Sequence, residues 1–384
     1  VKSTADVVII GGGINGVAIA YNLAVRGCQR VVVLERNTLA SGSTGRCGAG
    51  VRMQWGTEMN CRLARDSISH FERLNEELEF DGDIEFKQGG YLILAYHERQ
   101  WEQFKKNVAL QRSLGIPSRL VSPSEAGEIV PHLDLGGLIG ATFCPKDGHV
   151  NPFKTTQAYA EAAARRGVEI RKFSEAVAID RDASGRINRI VLAGGDEIAT
   201  RVAVNAAGPY SQLVGKMAGV ELPVHSERHQ ILVTEPVAPK QGPMVLSFAH
   251  GLYCQQTPHG SFIMGLGDPH EPRGFDVGSS WQFLENVAAK VTALMPALKE
   301  IRVVRQWAGL YNMTPDAQPI LGEVPGVPGF FVAVGFSGHG FMLAPMTGIL
   351  LAEMILGLKP TMDVSMLTLE RFARGELIRE PSVV

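Results

Sequence analysis

The chain lacks several features that would place it at once. It has 384 residues but only five cysteines (Cys28, Cys47, Cys61, Cys144, Cys254), and no two form a C-x-x-C pair. That excludes a zinc ribbon or a disulfide scaffold, so no metal site is expected, and it reads as the reduced thiols of a cytoplasmic protein. Net charge is −2, with no basic block, so nucleic acid is not an expected partner. Long apolar runs are missing too. The longest candidate, 341–358, is interrupted by Pro345, Gly348 and Glu353, which favours a buried helix over a transmembrane segment. No secretory leader is expected, because an apolar strand pattern begins within the first ten residues. What is abundant is core-forming material. Hydrophobic residues make up 45% and charged residues 20%, enough for two domains or one elaborate one.

The most informative stretch is Val7-Val8-Ile9-Ile10-Gly11-Gly12-Gly13-Ile14-Asn15-Gly16. A short β-branched run is what a parallel strand covered on both faces requires. Gly11, Gly13 and Gly16 then match G-x-G-x-x-G. The first permits the tight turn, the second lets a pyrophosphate approach the backbone, and the third lets the helix pack on the strand. The helix N-terminus offers N–H groups and a positive dipole end to that phosphate. A second apolar run, Val31-Val32-Val33-Leu34, ends at Glu35. This carboxylate lies about 20 residues beyond the motif, where it can take the ribose hydroxyls of an adenine dinucleotide and repel a 2′-phosphate. The motif alone does not separate NAD from FAD.

The rest of the chain alternates between two characters. Ser41 to Arg52 is a loop of small residues carrying Arg46 and Arg52, suited to a backbone lying flat against a ligand. An amphipathic helix is expected over 57–79. Residues 88–150 read as strands and short helices of a second domain inserted into the first. Residues 151–220 return to the dinucleotide pattern, with a helix over 152–166, a strand pair around Val177 and Ile190, and a buried strand running into Ala206-Ala207-Gly208. Residues 221–304 alternate as antiparallel strands do. The section from 305 onward returns once more, ending in the strand 330–335, a glycine loop Gly338-His339-Gly340 and a helix starting at Phe341. The expected fold is therefore α/β plus antiparallel β. A discontinuous Rossmann-like domain (1–87, 151–220, 305–384) carries an inserted mixed-sheet domain (88–150, 221–304) that walls a substrate cavity.

Five motifs in order now carry a resemblance. They are the first glycine motif, Ser43-Thr44-Gly45-Arg46, Val204-Asn205-Ala206-Ala207-Gly208, Met313-Thr314-Pro315-Asp316 with Pro319-Ile320-Leu321-Gly322, and Gly335 to Phe341. Nearly end to end, the chain resembles the FAD-dependent oxidoreductases of the D-amino-acid oxidase, glycine oxidase and sarcosine oxidase type. Ser43 to Arg52 and 338–342 look most like the β subunits of heterotetrameric sarcosine oxidase and dye-linked L-proline dehydrogenase. The resemblance implies FAD, oxidation of a C–N bond of a secondary amino acid to an imine, and partner subunits.

Roles follow from that resemblance. Gly11, Gly13, Ile14, Asn15, Gly16, Glu35 and Arg36 are implied to hold the adenine dinucleotide, with Val177, Ala206 and Gly208. Ser43, Thr44, Gly45, Arg46, Gly48 and the stretch Gly338, His339, Gly340, Phe341, Met342 are implied at the flavin end. Arg52 is implied to bind the substrate carboxylate. Arg46 is the weaker candidate, more a flavin-loop or interface residue. His339, with the helix start behind it, is implied to face negative charge on the flavin. Tyr311 is implied to line the substrate site, while Tyr253, His225 and His229, each on or beside an expected strand, are weaker substrate-cavity candidates.

Departures from the family pattern sharpen the expectation. Tyr311 stands where glycine and D-amino-acid oxidases carry their carboxylate-binding arginine. Gly309 stands where monomeric sarcosine oxidases carry the cysteine bonded to FAD, so FAD is expected to be non-covalent. Met342 replaces their oxygen-activating lysine, which favours a dehydrogenase passing electrons to a second carrier. No histidine stands at 151–153, where heterotetrameric enzymes attach FMN, so any FMN would be non-covalent, at a subunit interface, and His149 reads as a turn residue. L-proline is the first-choice substrate. The alternatives are a sarcosine oxidase β subunit, a stand-alone oxidase making peroxide, a non-catalytic flavin-bearing subunit and an NAD enzyme.

Overall fold

The computed structural model describes residues 2–381. Residue 1 and residues 382–384, which the expected domain ranges include, lie outside the described residues.

The first of two main sheets has the strand order Ile320–Glu323, Phe330–Val334, Ala203–Asn205, Val7–Ile10, Val31–Leu34, Glu169–Arg171. All neighbours run parallel except Ile320–Glu323. The four central strands are buried along their whole length, as their unbroken apolar sequences require. Alternate residues feed two cores. Val7, Ile9, Val31, Val33 and Val204 face helices Ile14–Val25, Pro152–Arg165 and Ala344–Ile355. Val8, Ile10, Val32 and Ala203 face a small four-stranded sheet built around Ala176–Arg181 and Ile187–Leu192. Gly348 lets two helices cross closely, since a Cβ there would lie 2.7 Å from the Ala18 carbonyl oxygen.

The second sheet has eight strands. Their order is Val303–Met313, His225–Pro236, Ser261–Leu266, Leu252–Gln256, Met244–Ser247, Tyr91–Ala95, Gly140–Cys144, Arg119–Val121. Met244–Ser247 and Tyr91–Ala95 run parallel, so the 88–150 and 221–304 sections form one continuous sheet. Helix Trp281–Leu294 covers one face through Phe283, Val287 and Val291.

Three boundaries differ from the sequence expectation. The return to the first sheet comes after Met313 rather than at 305, because Val303–Met313 pairs along its length with His225–Pro236. The helix expected over 57–79 is divided into Glu58–Phe71 and Leu74–Glu77. Leu74 and Leu78 remain buried past the break, so the apolar stripe gave no sign of it. The helix expected from Phe341 begins at Ala344, with Pro345 in its first turn, where the fixed proline φ suits a helix start.

Among the described residues no helix is long and apolar enough to cross a membrane, and no group of His, Cys, Asp and Glu is placed to hold a metal.

Candidate functional site

One cavity of about 410 Å³ runs between the two sheets. Its walls take in Gly11, Gly13 and Glu35 at one end and Tyr91, Tyr253 and Leu246 at the other.

At the first end the glycine spacing has direct steric causes. Gly11 has φ +120°, and a Cβ there would lie 2.3 Å from the Ala206 carbonyl oxygen. That contact also explains why Ala206 and Gly208 come to the same wall. Gly16 is not a lining residue. A Cβ on it would sit 1.9 Å from the Gly11 carbonyl oxygen, so its role is to bring helix Ile14–Val25 onto the turn. Glu35 accepts hydrogen bonds from the Gly12 and Asn37 backbone N–H groups, each 2.8 Å, and these aim its carboxylate along the wall. Two hydrogen bonds leave lone pairs for further donors. Arg36 lies over the Tyr210 ring, 3.7 Å from its centroid, and both line the cavity.

The loop that follows clamps the two sheets together. The Thr44 hydroxyl accepts from the Ile14 N–H (3.2 Å) at the start of the first helix. Ser43 Oγ donates to the Leu310 carbonyl (2.6 Å) and Arg46 Nη1 to the Ala308 carbonyl (2.9 Å). Arg46 therefore ties the loop to strand Val303–Met313. The small residues beyond it lie under aromatic rings. A Cβ on Gly48 would be 3.4 Å from Tyr253, and one on Gly50 would overlap the Tyr91 hydroxyl.

At the far end, His229 lies in a stack of rings. Its ring is 4.5 Å from Tyr311 and 5.8 Å from Tyr253, nearly parallel to each. Burial lowers its pKa to about 4, so the imidazole is neutral at physiological pH. His339 packs edge-on against Trp55, 4.6 Å between centroids. Burial, helped by the nearby Arg52 charge, lowers it to about 3. Arg52 is buried in the wall; its guanidinium lies over Trp55, 4.0 Å from the ring centroid, and Nη1 donates to the Gln54 carbonyl (2.7 Å). Behind it Asp147, fully buried, accepts from the Met53 N–H (2.7 Å) and Gln54 Nε2 (2.8 Å). Burial pushes Asp147 up to about 7 against those hydrogen bonds. Burial also raises the phenols of Tyr91, Tyr253 and Tyr311 and pushes the Cys47 thiol up to about 12, so none of them brings negative charge to this end.

The cavity collects Arg52, His339, Tyr311 and Tyr253 on one wall system with Gly338, Gly340, Phe341 and Met342. A Cβ on Gly338 would lie 2.7 Å from the Tyr311 ring, so that glycine lets the loop pass beneath it. Ile14, Asn15, Ser43, Thr44, Arg46 and Gly48 also line it.

Several expectations need correction. The Val177 side chain is 45% exposed, and Ala176 with Ser174 and Glu175 lines the cavity in its place. Strand alternation turns one of two neighbours outward, and the sequence did not say which. Gly45 does not line the cavity; a Cβ there would meet the Ala40 carbonyl oxygen at 2.3 Å and the Phe153 ring at 2.6 Å. His225 pairs with Glu227 at 2.6 Å and is outside the cavity wall. His149 is in a short strand paired with Gly50 rather than in a turn. Residues 341–343 are a turn before the helix, so the helix start is one turn further from the loop than expected. Sequence reading missed Tyr91, which lines the cavity, and Trp55 and Asp147, which support Arg52 and Gln54 from outside the lining. The strands expected within 88–150 take in Tyr91, but nothing in the sequence marked it as facing the cavity.

The residues present fit FAD. Gly11 and Gly13 leave backbone exposed to the cavity, Glu35 presents a carboxylate, and Asn15 Oδ1 is a buried acceptor without a partner on the same wall. Comparison with known proteins agrees. The family described as FAD dependent oxidoreductase matches residues 6–354. The chain is similar to the sarcosine oxidase subunit beta of Arthrobacter sp., 30% identical over 99% of this chain and 94% of the relative. Its fold is similar to that of L-proline dehydrogenase from P. horikoshii, with a TM-score of 0.93 and 38% identity over 98% of this chain and all of that one. It is also similar to glycine oxidase from Geobacillus kaustophilus, with a TM-score of 0.87 and 28% identity over 96% of this chain and 99% of that one. Because that family's model spans most of the chain, and a relative at 30% identity is covered nearly end to end, the chain belongs to the FAD-dependent oxidoreductase family.

Proposed function

We propose that this protein is an FAD-dependent dehydrogenase that oxidises the C–N bond of a small secondary amino acid, with L-proline as first choice. The observation that carries this reading is Arg52, a buried guanidinium in the wall of an aromatic box. A guanidinium matches a carboxylate with two parallel hydrogen bonds, and burial strengthens that contact. Arg52 thus orients the substrate by its carboxylate. Tyr91, Tyr253, Tyr311, Met244 and Leu246 supply the apolar surface around the ring or N-alkyl group and exclude water. Burial keeps the imidazoles of His229 and His339 neutral, and the same apolar surroundings disfavour a charged ammonium, which favours an uncharged amine when the C–H bond breaks. When bound, FAD supplies the two-electron acceptor. Gly11 and Gly13 would hold its pyrophosphate and Glu35 its ribose.

FAD is proposed to be non-covalent, since Gly309 stands where a bonding cysteine would. Met342, an apolar side chain in the cavity wall, offers no cation to promote reaction with oxygen, so electrons are proposed to leave to a second carrier. The likeness to a protein named as a subunit supports a hetero-oligomer, with any FMN bound non-covalently at a subunit interface. A cytoplasmic location is proposed from the reduced-thiol reading. Anaerobic flavin bleaching against a panel of secondary amino acids tests the reading, with L-proline and sarcosine expected to respond. A response to primary D-amino acids alone would overturn it. The likeness to sarcosine oxidase subunit beta keeps peroxide production as a second reading; peroxide formed as fast as a dye is reduced would establish it. If no amino acid bleaches the flavin, the chain is a non-catalytic flavin subunit.

A further inference from the structure

Helix Glu58–Phe71 starts directly behind the segment that presents Arg52, yet its N-cap residue Thr57 does not cap it with its own side chain. The first N–H groups of a helix need an acceptor. For the N–H of the N-cap Thr57, and for that of Gly56 before it, the acceptor comes from the far end of the chain. The Glu380 carboxylate accepts from the Gly56 N–H (2.7 Å), the Thr57 N–H (3.0 Å), the Thr57 hydroxyl (2.7 Å) and Asn60 Nδ2 (2.9 Å). A carboxylate at a helix N-terminus also meets the positive end of the dipole. The next residue is seated as well: a Cβ on Gly56 would lie 2.3 Å from the Pro381 ring, so only glycine leaves room for it. The same tail is held one step earlier, where Ile378 is buried and its N–H donates to Asp316 Oδ2 (3.3 Å). Asp316 is fixed in turn by a buried ion pair with Arg371 at 2.8 Å.

The clamped residues adjoin Trp55. That ring carries the Arg52 guanidinium on its face and His339 at its edge, and its Nε1 donates to the Arg52 carbonyl (3.2 Å). On the other side Gln111 Nε2 holds the Trp55 carbonyl at 2.7 Å. A shift at Gly56 or Thr57 is therefore passed to Trp55 and from there to Arg52.

We infer that Glu380 is a positioning residue: by capping helix Glu58–Phe71 it fixes Trp55, and through Trp55 it sets the pose of the substrate-carboxylate anchor Arg52. This rests on the reading of Arg52 given above. A side chain placed about 1 Å wrong can cost far more in binding than in folding.

The test uses the full-length flavoprotein and two ligands observed by the change in flavin absorbance on binding. One is pyrrole-2-carboxylate, the other pyrrolidine, which lacks the carboxylate. Glu380→Gln keeps one acceptor oxygen but puts an NH2 group against the donors. It is expected to weaken pyrrole-2-carboxylate roughly tenfold. Pyrrolidine binding and FAD content should be unchanged, and KM for L-proline should rise more than kcat falls. Asn60→Ala removes one of the four donors and is expected to move the same quantities a few-fold. It decides the question if Glu380→Gln does not yield flavoprotein. Equal weakening of both ligands, or no weakening of either in Asn60→Ala and Glu380→Gln, overturns the inference. Arg52→Ala, assayed alongside, separates the two claims. If it discriminates against the carboxylate and the Glu380 and Asn60 variants do not, the positioning role falls while the anchor stands. If Arg52→Ala does not discriminate, the anchor reading itself falls.

Discussion

The end of the cavity at Gly11, Gly13 and Glu35 comes largely from one strand–turn–helix–strand unit. The opposite end draws Arg52, Tyr91, His229, Tyr253, Tyr311 and His339 from separate segments across both sheets. On the function proposed above, the first would recognise its ligand mainly with backbone, helped by the Glu35 carboxylate, and the second with side chains. Backbone recognition demands glycine at fixed spacing, because a Cβ on Gly11 or Gly16 would occupy space that another main-chain atom needs. Side-chain recognition demands only that sheet register bring the right groups together. His229 is opposite Gly309 in the ladder, and that register places it beside Tyr311.

The sharpest way to break the contrast is at the glycines. Gly16→Ala puts a methyl 1.9 Å from the Gly11 carbonyl oxygen, a backbone atom that cannot swing away. The expected outcome is protein purified without flavin colour or not folded at all. A yellow, stable Gly16→Ala protein would show that the turn is looser than its geometry indicates. Arg52→Ala should do the reverse, leaving flavin bound and lowering kcat/KM for the carboxylate substrate. Loss of charge-assisted hydrogen bonds costs about 2–3 kcal/mol, roughly 30- to 150-fold. Retained kcat/KM would move the anchor elsewhere in the box.

That asymmetry also explains what could be read from the sequence. The first sheet and its order of return were legible because buried parallel strands are unbroken apolar runs with glycine turns. Arg52 and Tyr311 were legible only through resemblance, since no local pattern marks an arginine as facing a cavity. Val177 was misplaced because alternation names two faces without saying which is wet. Asp147 and Trp55 carried no local signal: their importance lies in what they touch, Gln54 and Arg52, and those contacts exist only after folding. Glu380 is the extreme case, a helix cap more than 300 residues from its helix.

Met342 tests the electron-transfer side of the comparison. Met342→Lys places a cation in the wall next to Phe341, where it can stabilise a developing oxygen anion. Peroxide formation with substrate in air should rise roughly tenfold, about 1.4 kcal/mol in the barrier, with dye reduction little changed. An unchanged peroxide rate would mean that access or a partner protein, and not local charge, limits reaction with oxygen.

The smallest effect concerns the ring stack and is read by pH. His229 has a folded pKa of about 4, lowered by burial, against about 6.5 in an unfolded chain. Between those values the unfolded chain binds a proton and the folded one does not. Stability is therefore fully present above about pH 6.5 and is lost as pH falls toward 4. His339, at about 3, carries the same trend lower. Asp147 runs the other way: burial raises it to about 7, so the folded state holds its proton longer and stability falls as pH rises from about 4 to 7. The two trends oppose each other in the native protein, and only variants separate them. His229→Gln removes one acid-sensitive group, so its melting temperature should fall by a few degrees less than wild type between pH 6.5 and 4.5. Asp147→Asn should lose less than wild type on going from pH 4.5 to 7. Parallel melting curves for wild type and His229→Gln would mean that water reaches the imidazole through the cavity and that burial does not keep it neutral.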